Sequence, residues 1–325
     1  MLAMNRIFFL AVGLTLWFCV GAIGAAAADP PRIGFLTTLP ESGPHWQGFR
    51  KGLQELGYFE GKTIVIDWRR AETGQELGDL ADALVNAKVK ATVTAGAPAT
   101  KAAMQRTATI PVVFIAVGDP VAGGFAASLA RPGRNGTGVS VVATELYPKR
   151  LELLHRLAPK ARRITWLLNS SHPLTAAYLE EMERAARTLD IRLQTLDTRD
   201  TRELDAVLQS LDEHPPEAVL VGGDLLYLAH KEKVAAAVRK SRVPAIFALA
   251  DFHEYGALMS YGPILSETGR LAAAYVDKIL KGANPSELPI QQISRIELVV
   301  DLRLARELGI AVPRELLARA DRVIR

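Results

Sequence analysis

Only one cysteine, Cys19, occurs in 325 residues, so neither a disulfide framework nor a cysteine-based zinc site is available. Aromatic residues make up 6% of the chain, and 39 Lys and Arg against 35 Asp and Glu leave a net charge of +4. No Lys/Arg stripe with interleaved aromatics accompanies that small excess, so the footprint of a nucleic-acid binder is missing. Beyond the first 28 residues no apolar run approaches the roughly 18 residues of a membrane-spanning helix, which points to a soluble mature chain. The 25 Gly and 18 Pro follow no short period, which excludes collagen-like and rod-like chains, and the 49% apolar content excludes intrinsic disorder. What remains is one large α/β lobe or two ordinary ones, each with its own core.

The N-terminus sets the expected compartment. Arg6 is the only charged side chain before Asp29; Ile7–Val20 is uncharged, and Gly21–Gly24 and Ala25–Ala28 follow as small residues. This is the pattern of a secretory signal peptide over residues 1–28, with cleavage after Ala28 and a periplasmic mature chain. The competing reading is an uncleaved anchor, because Ile7–Ala28 is long enough to span about 30 Å of hydrocarbon. Leu16-Trp17-Phe18 before Cys19 are too bulky for a lipidation signal. A mature chain without cysteine suits an oxidising compartment.

From Arg32 onward, β-branched runs alternate with Ala/Leu/Glu/Arg-rich helical stretches, the pattern of a parallel sheet wrapped by helices. Strands are expected at Arg32–Thr38, Thr63–Trp68, Ala91–Gly96, Pro111–Gly118 and Thr137–Val142, then at Arg163–Asn169, Arg192–Asp197, Ala218–Gly223 and Pro244–Leu249. Helices are expected between them, among others at Gln47–Leu56, Thr175–Leu189 and Leu226–Ser241. The two series match: Ile33-Gly-Phe-Leu36 with Ile164-Thr-Trp-Leu167, Leu56-Gly-Tyr58 with Leu189-Asp-Ile191, Ala91–Gly96 with Ala218–Gly223, and Pro111–Phe114 with Pro244–Phe247, at offsets of 127 to 133 residues. Such a long repeat excludes solenoids and implies two similar lobes with a cleft at the carboxyl ends of their strands. Late elements follow: strands at Gly256–Tyr261 and Ser294–Asp301, and helices at Glu267–Lys281, Leu302–Leu308 and Arg314–Val323. The expected division is 29–142 plus 256–290 for the first lobe and 143–255 plus 291–325 for the second. Hinges are expected near Ala143–Glu145, Asp251–Gly256 and Leu288–Gln292.

No catalytic signature is present. The chain has no G-x-x-x-x-G-K-[ST], no G-x-G-x-x-G after the first strand and no H-E-x-x-H, and Leu258-Met-Ser-Tyr-Gly262 lacks the first glycine of G-x-S-x-G. His45, His155, His172, His214, His230 and His253 show no metal-ligand spacing and read as surface or loop residues. Neither a cofactor nor a metal is expected. The strand ends do hold small polar groups and helix starts. Gly96, Ala97 and Pro98 open a helix whose free N–H groups favour a carboxylate, or are ordinary helix-start chemistry. Asp119 accepts from a ligand ammonium or caps the turn ahead of Pro120. Glu72 is a cleft carboxylate or an exposed loop residue. Thr37 and Thr38 form the turn after the first strand, and Asn169 is their counterpart in the second lobe. Asp224 is a ligand group or a helix cap. Ser140, Ser260 and Tyr261 complete the candidate set, with Ser260 and Tyr261 in a stretch expected to cross the cleft. Asp119 is the first choice for an ammonium, because Pro120 offers no competing N–H and the matching Asp251 is also a carboxylate.

Several blocks resemble a known family. Ala91–Ala99, Ile110–Phe114 with Val117-Gly-Asp-Pro-Val121, Ser128–Gly133 with Thr137–Ser140, Lys149–Leu154, Leu258–Pro263 and Tyr275–Gly282 resemble, in order, the ABC-transporter substrate-binding proteins of the tryptophan-binding type. The likeness runs from about Arg32 to Ile324. It implies a periplasmic binding protein of type 1: two Rossmann-like lobes with mostly parallel sheets, joined by three crossovers, closing on a small-molecule ligand and passing it to an ABC permease in the inner membrane. An amino acid is the expected ligand, aromatic ones favoured, and a monomer the expected state. The family's Ala-Glu-Gly turn reads Ala71-Glu-Thr-Gly74 here, and its Gly-Thr-Pro-Ala-Ala block reads Gly96-Ala97-Pro98-Ala99-Thr100, without the hydroxyl at 97. The competing function is an exported enzyme with Glu72 or Asp119 as general base.

Overall fold

A computed structural model describes residues 29–141, 143–293 and 295–325. The expected leader with Cys19 lies outside these, as do Val142 and Ser294. Two sheets are present. The first contains β1 (Arg32–Thr37), β2 (Val65–Arg70), β3 (Thr92–Ala95), β4 (Val112–Val117) and β5 (Gly136–Ser140). The second contains β6 (Arg163–Leu168), β7 (Arg192–Asp197), β8 (Ala218–Val221), β9 (Ala245–Phe247) and β10 (Met259–Pro263). Late in the chain β11 (Gln291–Gln292) joins the first sheet, and β12 (Ile296–Asp301) and β13 (Arg322–Ile324) join the second. The orders are β11-β5-β4-β3-β1-β2 and β13-β12-β10-β9-β8-β6-β7. All named pairings are parallel except β10 with β12.

The internal repeat is real at the level of topology. In both halves the first five strands stand in the order 2-1-3-4-5, so each matched sequence block occupies the equivalent place in its sheet. The helices follow the same rule: α1 (Pro44–Glu55), α2 (Leu77–Asn86) and α3 (Gly96–Arg106) alternate with the first strands, and α4 (Ala143–Leu157), α5 (Thr175–Thr188), α6 (Thr201–Glu213), α7 (Leu225–Ala229) and α8 (Lys231–Lys240) with the second set. The Leu56/Leu189 match marks two helix ends of one design. Tyr58 N–H returns to Leu53 O at 2.9 Å and Ile191 N–H to Ala186 O at 2.9 Å. Gly57 and Asp190 between them are left-handed, with φ of 86° and 54°.

The chain passes between the sheets three times: from β5 into α4, from β10 into α9 (Leu265–Leu280), and from β11 into β12. Helix α4 packs on α5 and the second sheet, whereas α9 packs on α1, β4 and β5. The contact of α1 with α9 is very close. A side chain on Gly48 would overlap the Ser266 carbonyl, and one on Gly269 the His45 carbonyl.

Five expectations are corrected. Residues 259–263, expected in the first lobe, form β10 in the second sheet, where Met259 and Ser260 pair with Ile246 and Phe247 and the whole strand pairs with β12. Gln291 and Gln292, expected in the second lobe, pair with Val139 and Ser140 in the first sheet. The segment Ala250–Tyr255, expected to contain a hinge, is a 3-10 turn ahead of β10 and not a passage between sheets. The helix expected through Arg314–Val323 stops at Arg319 (α11, Arg314–Arg319, after α10, Leu302–Leu308), and Arg322–Ile324 becomes the edge strand β13. Helix α4, which is not among the helices read from the sequence, runs through Pro148. The long helix expected over Leu226–Ser241 breaks at His230, which ends α7 and starts α8.

Candidate functional site

The carboxyl ends of the two sheets face one another and touch. Gly96, at the end of β3 with φ 79°, would place a Cβ 2.9 Å from Leu225 Cδ1 at the start of α7. Gly118, just after β4, would place one on the Tyr178 hydroxyl of α5 and 2.9 Å from Ala143 Cβ. Ala97, Phe114 and Val117 of the first lobe share one buried cluster with Tyr147, Leu174 and Tyr178 of the second. Leu39, in the loop after β1, is buried with Leu228, Leu249 and Phe252.

On the first lobe, α3 begins at Gly96, with Ala97 buried and Pro98 half-buried; Thr100 Oγ1 donates back to Gly96 O at 2.8 Å. Thr37 is buried and accepts from Leu39 N–H at 3.0 Å, while Thr38 is half-buried. Ser140 is buried, and its hydroxyl has no partner among the described residues. Asp119 departs from expectation: its Oδ1 accepts from the N–H groups of Val121 at 3.0 Å and Ala122 at 2.9 Å, so donors beyond Pro120 do compete for it. A β-bulge between Phe114 and Val117, with Ala116 at φ 57°, aims this turn. Glu72 is not brought into the cluster; it is exposed and ion-paired with Arg70 at 2.9 Å.

On the second lobe, Asn169 Oδ1 takes the N–H and hydroxyl of Ser171. Asp224 caps α7 through Leu226 N–H at 2.8 Å. Ser260 does not cross the cleft; it is fully buried inside the second lobe and its hydroxyl meets His253 Nε2 at 2.9 Å. Burial pushes His253 down to about 4, with Arg322 adding to the shift. The Tyr261 carbonyl accepts from Arg150 Nε at 2.7 Å.

The residues that dominate the junction escaped the sequence pattern. Tyr147 lies 4.8 Å from Tyr178 and 5.2 Å from Trp166, ring centre to ring centre, and His172 stacks on Tyr178 at 5.7 Å. Tyr147 accepts from Gly223 N–H at 3.0 Å, beside Asp224. Leu174 N–H donates to His172 Nδ1 at 3.2 Å, which leaves Nε2 as the N–H of the neutral ring. Burial lowers His172, opposed by Asp224. Burial raises the Tyr178 hydroxyl well above its ordinary value, with Tyr147, Asp224 and Asp119 reinforcing the shift. Arg150 is buried beneath Tyr147, 5.0 Å from its ring, and holds only carbonyls: Tyr261 and, at 3.4 Å, Ala248. No carboxylate pairs with it among the described residues. Burial pushes its guanidinium down, opposed by Tyr147, Tyr178 and Tyr261. Tyr147, Trp166 and Tyr178 fall on buried helix or strand faces, where the sequence alone reads core, whereas His172 sits half-buried in the loop ahead of α5.

Because the lobes are in contact, open space lies beside the junction. A crevice of about 560 Å³ runs between the loop of Leu39–Pro44 on the first lobe and the segment of Leu228–Lys233 with Tyr255 on the second. Among the described residues no group of three or more His, Cys, Asp or Glu is placed to hold a metal ion, and no helix is long and apolar enough to cross a membrane.

Residues 41–324 match the family described as ABC transporter substrate binding protein. A curated relative, the tyrosine-binding protein of Clostridioides difficile, is 25% identical over 256 residues, covering 78% of this chain and 73% of the relative. Among solved structures, the ABC domain in complex with L-Trp from Streptococcus pneumonia is 25% identical with a TM-score of 0.83, covering 91% of this chain and all of that one. The ligand-free, open structure of a substrate binding protein with adhesive properties from Clostridium difficile is also 25% identical, with a TM-score of 0.61 and coverage of 87% and 96%. At equal identity the chain superposes better on the L-Trp complex than on the ligand-free, open structure. With two mostly parallel sheets, three passages and a match over nearly the whole described chain, this protein belongs to the ABC transporter substrate-binding protein family.

Proposed function

We propose that the chain is the solute-binding component of an ABC importer and that it closes its two lobes on a single amino acid, aromatic ones favoured. The observation that carries this is the junction itself: an aromatic wall of Tyr147, Tyr178 and His172 on one lobe faces the start of α3 and the Gly118–Asp119 turn on the other, with Asp224 beside the wall. A ligand carboxylate finds N–H donors at the start of α3. Asp224 becomes the first acceptor for the ammonium, ahead of Asp119, because its charge acts on Tyr147, Tyr178 and His172 together. The wall supplies stacking for a ring. Thr37, Thr38, Ser140 and Asn169 are proposed as the surrounding polar shell. The tyrosine-binding relative and the L-Trp complex support the ligand class. Export by cleavage after Ala28, a periplasmic location, delivery to a permease and a monomeric state complete the proposal.

Titration calorimetry against the twenty amino acids, with mass analysis of the recovered ligand, tests it. The expected result is saturable heat with L-tryptophan or L-tyrosine and a ligand recovered unchanged. Absence of heat with all twenty contradicts the ligand class, and a converted product would instead establish an exported enzyme.

A further inference from the structure

Among the described residues, the closest approach at a glycine between the two lobes falls at one point. Gly118 ends β4 on the first lobe, and the Tyr178 ring comes to it from α5 on the second. A Cβ on Gly118 would overlap the Tyr178 hydroxyl oxygen and stand 3.2 Å from Cζ. The neighbouring strand repeats the arrangement, with Gly96 receiving Leu225. Both glycines therefore lie where a side chain of the opposite lobe arrives. The Gly118 backbone is held on each side: the bulge at Ala116 precedes it, and Asp119, bonded to Val121 and Ala122, follows it. Tyr178 is fixed just as firmly, wedged between Tyr147 and His172. Its hydroxyl makes no hydrogen bond among the described residues, so a bond within its own lobe does not explain its position. Asp119, Asp224 and Arg150 all lie close enough to influence it.

We propose that Gly118 and Tyr178 are a matched pair of positioning residues: the absent side chain of one receives the hydroxyl of the other, and this fit sets how far the lobes close and how wide a gap the ligand is given. The inference rests on the closure proposed above and adds what limits it. Since packed interfaces hold discrete arrangements and do not deform continuously, one methyl group at this point is enough to stop the lobes short. Tyr178 is then a determinant of specificity, because a cleft halted early cannot bring the start of α3 and the aromatic wall onto one ligand together.

The test is trapping of the closed form. In a Cys19→Ser background, Ser42→Cys and Lys233→Cys place one thiol on each side of the crevice, on opposite lobes, and a short bis-maleimide links them when the lobes meet. Gly118→Ala should slow linking at least 10-fold. Adding Tyr178→Phe, which removes the overlapping oxygen, should recover most of the rate, although the methyl group still crowds Ala143. Without ligand, Tyr178→Phe alone should link within about 3-fold of the parent; with ligand, where Tyr178 belongs to the proposed binding wall, its rate is not a control. Linking of Gly118→Ala at the parent rate overturns the proposal, as does a double variant as slow as the single one. A Gly118→Ala chain that fails to fold and is not restored by Tyr178→Phe also overturns it, because the glycine is then required within its own lobe. The rates are measured with no ligand and with L-tryptophan and L-tyrosine. Failure of both amino acids to bind the parent therefore removes the ligand class while the ligand-free rates still decide the fit.

Discussion

Asp224 illustrates how one side chain serves two ends. Its Oδ1 caps α7, and its charge reaches the aromatic wall. Asp224→Asn keeps a good helix cap and removes the charge. A charge-assisted hydrogen bond is worth about 1.5–3 kcal/mol, so affinity for the amino acid should fall about 10- to 150-fold with little change in melting temperature. Unchanged calorimetric affinity together with a lower melting temperature would reduce Asp224 to a cap. Two histidines give the chain a different property. Burial holds His45, whose Nδ1 lies 3.3 Å from Thr268 Oγ1, and His253 near a pKa of about 4, below the ordinary 6.5. The folded state thus favours the neutral rings. Their contribution is complete above about pH 6.5 and is lost as pH falls toward 4, about 2 kcal/mol each by pH 5. Urea midpoints should drop between pH 7 and pH 5, and His45→Asn should flatten that slope; a midpoint independent of pH over this range would contradict the burial argument. Residue types at strand ends were legible in the sequence, but which of them are engaged was not. Whether Asp119 is free or held depends on N–H groups of a turn whose path only the fold decides.

At the scale of elements, the repeat in the sequence mapped onto equivalent strands because β-branched runs and helix ends are local signals. What failed was non-local. A five-residue strand such as β10 carries no mark of which sheet it will join, and the answer lies in partners, Ile246 and Val299 among them, that are near only after folding. Tyr147 and Tyr178 were hidden for a related reason: at helical spacing an aromatic that faces a cleft looks the same as one that faces a core. The repeated helix ends allow a direct comparison. Gly57 and Asp190 hold the same left-handed place, but Asp190 carries a side chain there, at φ 54° and largely exposed. Asp190→Gly should stabilise the chain by about 0.5–1 kcal/mol, read as a higher urea midpoint. A lower midpoint would show that the 3.9 Å pair of Asp190 with Arg162 outweighs the backbone strain.

For the whole molecule, two lobes of like topology are joined only by three passages, and the contacts between them are concentrated at the strand ends. Each lobe can thus move as a body while its own core stays intact. The chain superposes well on an L-Trp complex and less well on an open, ligand-free relative, a difference of the kind expected when lobes rotate and cores do not. The function proposed above requires that this rotation be driven by a small ligand held between the lobes. Solution scattering of the protein with and without saturating L-tryptophan or L-tyrosine tests it most directly. A smaller radius of gyration is expected on addition of the ligand that binds, with a scattering curve matching the closed arrangement. A curve unchanged at saturation would contradict it.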